Sequence, residues 1–101
     1  MQNNIICLDF DGVIHRYSMG WGDGVANDIP MEGAKEAIEK LEKRGYEVVI
    51  FSCRSEESIK EWLKKYDFPD IEVAKEKPKA LAYIDDRGIR FTNWKDILNY
   101  F

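Results

Sequence analysis

Two stretches of the chain, NIICLDF at 4–10 and YEVVIFSC at 46–53, are apolar without alternation. A strand with one wet face alternates apolar and polar residues. A run that does not alternate reads as a strand covered on both faces, as in parallel sheets. Between and after these runs the period changes. At 33–44, Ala34, Ala37, Ile38 and Leu41 fall on one helical face, and Gly45 is a natural stop. Ser55 is placed to cap a second helix whose apolar face is Ile59, Trp62, Leu63 and Tyr66, with Pro69 beyond it. IEVA at 71–74 and ALAYI at 80–84 read as further strands, and IRF at 89–91 as a short extra one. Asn93 is placed to cap a last helix at 94–99. Strands alternating with helices predict an α/β fold with a mostly parallel sheet of four to five strands.

A chain of 101 residues, 45% hydrophobic and 34% charged, is one domain spanning 1–101 with a real core. Its net charge of -4 argues against general nucleic-acid binding, since a backbone binder needs a basic face. The opening MQNNIICLDF has no basic segment and no long apolar run. The expectation is therefore a cytoplasmic protein with no signal peptide and no membrane association. In that setting Cys7 and Cys53, both inside apolar runs, are expected to be buried reduced thiols. The stretch from about 13 to 30 is irregular and rich in glycine. It carries His15, Tyr17, Trp21 and Asp23, and its MGWGDG could turn a short hairpin.

In parallel sheets, ligands sit beyond the carboxyl ends of the strands. Three of the apolar runs end there in polar groups: the first in Asp9 and Asp11, the second in Ser52, and the fourth in Asp85 and Asp86. Lys75, Lys77 and Lys79 lie just before the fourth. Four carboxylates on one rim repel one another unless a cation sits among them, and oxygen-only ligands favour Mg2+ over Zn2+. A hydroxyl and an ammonium beside such an ion suit a phosphate. Together these groups form a phosphoryl-transfer constellation.

DFDGV after an apolar strand, a serine ending the second strand, a Lys-Pro pair and YIDD ending a later strand resemble the four motifs of the haloacid dehalogenase (HAD) superfamily. The likeness is to its small bacterial and phage-type members, through KPKALAYIDDRGIRF. The resemblance implies a three-layer, Rossmann-like core without a cap domain, in which the glycine-rich stretch is only a hairpin flap. It implies a Mg2+-dependent phosphohydrolase that cleaves a phosphoester through an aspartyl-phosphate. Asp9 would be the nucleophile, and Asp11 the general acid and then the general base. An aspartate at the second position marks the phosphatase branch rather than the dehalogenases.

Ser52 would hold a phosphoryl oxygen beside Gly12, Cys53 and Arg54, although Arg54, Arg87 and Arg90 also read as salt-bridge partners. Lys77 would neutralise phosphate charge, with Lys75 and Lys79 as alternatives. Asp9, Asp11, Asp85 and Asp86 would hold the Mg2+. His15, Tyr17 and Trp21 on the flap are candidate substrate contacts, and their rings could stack on a base. The expected partner is thus a phosphorylated small molecule or a nucleotide-like substrate, and a homo-oligomer that supplies a lid is compatible with the pattern.

Two other functions compete. A signalling receiver domain also gathers acids and a lysine around Mg2+. Its phosphorylated aspartate ends a middle strand, however, whereas here the third strand ends in Ala74. A non-catalytic or regulatory binding module on the HAD-like scaffold is the other alternative.

Overall fold

A computed structural model describes residues 3–18, 20, 24–85 and 89–101. Among these residues there are four strands and three helices: β1 (Ile5–Leu8), α1 (Ala34–Lys43), β2 (Glu47–Phe51), α2 (Glu56–Lys65), β3 (Glu72–Ala74), β4 (Ala82–Ile84) and α3 (Trp94–Leu98). The strands form one sheet in the order β3-β2-β1-β4, with every neighbouring pair parallel. The chain builds outward from β1 through β2 to β3, then returns to the far side of β1 for β4. The strand order therefore reverses between β1 and β4.

The helices follow from their own residues. The buried positions of α1 are Ala34, Ala37, Ile38 and Leu41, the face expected from the period. Gly45 (φ 93) lies in the left-handed region just past its end, which glycine occupies without strain. Ser55 caps α2, its side chain accepting the Ser58 amide at 3.2 Å. Ser55→Ala should lower stability by about 1 kcal/mol, read as a lower urea midpoint at unchanged slope. The helix ends well before Pro69, at Tyr66, and Asp67 (φ 60) makes the turn. Asn93 caps α3 by accepting the Asp96 amide at 2.9 Å. Ile89 makes only an isolated bridge to Ile84, so 89–91 is not a strand.

One buried cluster joins Ile6, Leu8, Phe10, Val48, Ile50, Val73 and Ile84 to the apolar faces of all three helices. Apart from Phe10, which lies just past β1, these residues alternate along their strands and share one face of the sheet. Positions of the opposite parity include the exposed Glu47 and Glu72 and the half-buried Phe51 and Tyr83. The central strands are covered on both faces as expected, since Ile6, Cys7 and Leu8 and Val48, Val49 and Ile50 are all buried, but the three-layer core is corrected: among the described residues, helices pack on one face. Both βαβ crossovers run in the same direction along the sheet, so their common handedness puts α1 and α2 on the same side. No helix joins β3 to β4, which leaves the second face without one. Cys7 and Val49 are nevertheless buried there. Among the described residues no helix is long and apolar enough to cross a membrane.

Candidate active site

Register places the first acids. Leu8 pairs with Ile84, so Asp9 and Asp85 emerge side by side at the carboxyl ends of β1 and β4, where the strand order reverses. The Asp9 amide donates to the Ile84 carbonyl at 3.2 Å, and the Asp9 carboxylate accepts the Phe10 amide at 2.8 Å. Ser52 and Cys53 follow β2 directly. A cavity of about 370 Å3 opens here, lined by Cys7, Asp9, Phe51, Ser52, Cys53, Lys77 and Asp85. Groups from three strand ends and the β3–β4 loop thus meet in one cavity.

Of the three candidate lysines, Lys77 lines this cavity. Its Nζ lies 3.4 Å from Asp85 Oδ2 and 4.6 Å from the centre of the Tyr83 ring. Lys75 lines a smaller neighbouring cavity with Ser52, Arg54 and Glu56. The loop carrying Lys77 has no helix to stiffen it, and Tyr83 takes that role. The Tyr83 hydroxyl donates to the Pro78 carbonyl at 2.5 Å and accepts the Ala80 amide at 3.2 Å. Tyr83→Phe should cost about 1–2 kcal/mol in urea unfolding, because it leaves both backbone groups without that partner. Tyr83→Leu, which also removes the ring beneath Nζ, should cost more.

Cys7 and Cys53 are both free thiols, but only Cys7 is buried. Strand β2 stops at Phe51, so Cys53 lies past the covered run and is exposed, a correction to the expectation. Burial pushes the Cys7 thiol up to about 11, helped by Asp85 and Asp9 and opposed by Lys77. It is therefore a neutral wall of the cavity and not a nucleophile.

Asp11 is turned elsewhere. It is not among the residues lining that cavity, and its carboxylate meets two buried side chains. Arg54 Nε donates to both of its oxygens, at 2.9 and 3.1 Å, and His15 Nδ1 lies 2.9 Å from Oδ1. His15 Nε2 accepts the Asp28 amide at 3.0 Å, so Nδ1 carries the proton and donates to Asp11. His15 is fully buried, stacked on Phe10 at 5.1 Å and edge-on to Trp62 at 5.5 Å. A substrate-facing His15 is thus corrected: the ring is a core group that supports Asp11. Arg54 is likewise buried against Asp11, the salt-bridge reading of the sequence, rather than lining the main cavity beside Ser52. Gly12 (φ 79) makes the turn that follows Asp11.

The glycine-rich stretch has paired arms. Arg16 and Ile29, and Met31 and Ile14, are joined by backbone hydrogen bonds of 3.0 and 2.7 Å. Asp28, which nothing in the sequence singled out, ties the arms together. Its carboxylate accepts the Ser18 hydroxyl and amide and the Ile29 amide, and its carbonyl accepts Trp62 Nε1 at 2.7 Å. The Ser18 hydroxyl and then the Ile29 amide hold the Asp28 carboxyl down at about 2. Its contribution is in place above the ordinary carboxylate range and fades as pH falls toward that value. Tyr17 (φ 59) is half-buried, with the Arg54 guanidinium 5.6 Å from its ring centre. Trp21, Asp23 and Asp86 lie outside the described residues.

Among the described residues no group of three or more His, Cys, Asp or Glu side chains is arranged to hold a metal ion. Asp9 and Asp85 do supply two carboxylates to one cavity. That donor set fits Mg2+, which is commonly bound by one or two carboxylates, substrate phosphate and retained water.

A solved structure of a conserved protein coded by a locus from Bacteroides thetaiotaomicron is similar to this chain. It shares 22% sequence identity at a TM-score of 0.67, over 97% of this chain and 88% of that one. No family model and no curated protein matches the chain. At that identity the likeness concerns the fold alone, an α/β architecture on an all-parallel four-stranded sheet compatible with a Rossmann-like fold.

Proposed function

We propose that this chain is a Mg2+-dependent phosphohydrolase of the HAD type, capless, acting on a phosphorylated small molecule or nucleotide-like substrate. The observation that carries this reading is the meeting of Asp9, Asp85, Lys77 and Ser52 on one cavity beside the point where the strand order reverses. A carboxylate nucleophile, an ammonium, a hydroxyl and a second carboxylate make a site for a phosphate and its counter-ion.

Asp9 attacks phosphorus, the bond to the leaving oxygen breaks, and an aspartyl-phosphate forms. Asp11, held outside the cavity by Arg54 and His15 in this structure, turns into it in its protonated form and gives that proton to the leaving oxygen. It then takes one from the water that attacks phosphorus, and this returns Asp9 and releases inorganic phosphate. Lys77 and Ser52 hold the phosphoryl oxygens. Mg2+, held by Asp9 and Asp85 with Asp86 and the Asp11 carbonyl as further candidates, would supply charge neutralisation at the phosphate.

The test is a panel of sugar phosphates, nucleotides and p-nitrophenyl phosphate, assayed with and without Mg2+. Mg2+-dependent phosphate release is expected. A folded protein inactive across the panel would instead favour a binding module.

A further inference from the structure

We propose that Arg54 is a positioning residue that clamps the glycine-rich segment onto Asp11, so that the position of the Asp11 side chain depends on that segment being in place. The guanidinium is fully buried and reaches in two directions. Nε holds both oxygens of Asp11, and Nη1 donates to the Gly24 carbonyl at 2.6 Å. One planar, rigid side chain on the loop after β2 therefore joins the turn after β1 to the far arm of the segment.

Two further observations and one physical argument support a built device rather than an incidental ion pair. His15 holds Asp11 from the other side, and it is itself fixed by Phe10, Trp62 and the Asp28 amide. Tyr17 sits at a positive φ of 59, which a bulky side chain adopts at some cost, and this conformation brings its ring near the guanidinium. A buried guanidinium is expensive to desolvate, and removing one partner of such a pair leaves the other charge uncompensated. The segment and Asp11 are thus energetically coupled through Arg54. The role given to Asp11 rests on the phosphohydrolase reading, while the coupling itself does not.

The experiment is hydrogen–deuterium exchange on the full chain, compared among wild type, R54Q, R54K and D11N, with steady-state kinetics alongside. In R54Q, amides at 24–29 should exchange faster by about tenfold or more, while those of β1 and β2 stay protected. D11N should loosen the same residues, because it removes the other end of the clamp, and R54K should fall between R54Q and wild type. Where phosphate release is measurable, R54Q should lose on the order of a hundredfold in kcat with little change in KM. Unchanged exchange at 24–29 in both R54Q and D11N would overturn the clamp. A raised KM at unchanged kcat would also overturn it and return Arg54 to the substrate phosphate. D9N separates the two ideas: if it keeps full activity the aspartyl-phosphate mechanism at Asp9 fails, while the exchange results still decide the clamp.

Discussion

Asp9→Asn should abolish phosphate release, lowering turnover by at least about four orders of magnitude, with the fold intact. The substitution is close to isosteric and keeps an oxygen to accept the Phe10 amide that Asp9 holds at 2.8 Å. The strand end and its turn should therefore survive, as far-UV circular dichroism and urea unfolding would show. What is lost, on the proposed mechanism, is the charged nucleophile, since a neutral amide oxygen cannot form and then release an acyl phosphate. Losing one of the two acids that face the cavity also weakens its affinity for a dication. Mg2+ should raise the melting temperature of the wild type by mass action, and raise that of Asp9→Asn less. Scanning calorimetry with and without the ion reads this without any substrate.

Phe10→Ala should be severely destabilising, by about 3–5 kcal/mol. For a domain of this size that is a large share of the usual total of about 5–15 kcal/mol. Phe10 is fully buried. It lies flat on His15 at 5.1 Å and edge-on to Trp62 at the same distance, in the same cluster as the β1 core residues. Its position between Asp9 and Asp11 adds a second consequence. Removing the ring takes away one wall of His15, which supports Asp11, so activity should fall by more than the unfolded fraction explains. Urea unfolding gives the first effect, and kcat measured well below the midpoint gives the second.

Much of the fold was legible because its signals are local. The α1 face, the Ser55 and Asn93 caps and the apolar runs each depend on residues close in the chain, and each appears where its pattern placed it. Strand ends were overestimated. NIICLDF reads as seven residues of strand, yet pairing stops at Leu8, because Asp9 and Phe10 already belong to the turn that builds the site.

The unhelical second face was harder to see. Cys7 and Val49 are apolar and buried, so their sequence does not reveal that no helix covers them. The gathering of Asp9, Ser52 and Asp85 was legible once the strands were taken as parallel, since strand polarity sends them to one edge, whereas Lys77 was singled out from Lys75 and Lys79 only by the family resemblance. The surroundings of Asp11 were not. Arg54, His15 and Asp28 come together through contacts between residues 43, 4 and 13 positions apart, and their types alone suit surface, substrate or core. An arginine two residues past the serine that follows β2 was the one available signal for the clamp.

Borohydride trapping during turnover tests the central claim most directly. With Mg2+ and p-nitrophenyl phosphate, reduction of an aspartyl-phosphate converts the aspartate to homoserine, which peptide mass spectrometry locates. Homoserine at position 9, present with substrate and missing without it, is the expected result. Phosphate release at an undiminished rate from a protein whose residue 9 stays aspartate would contradict it.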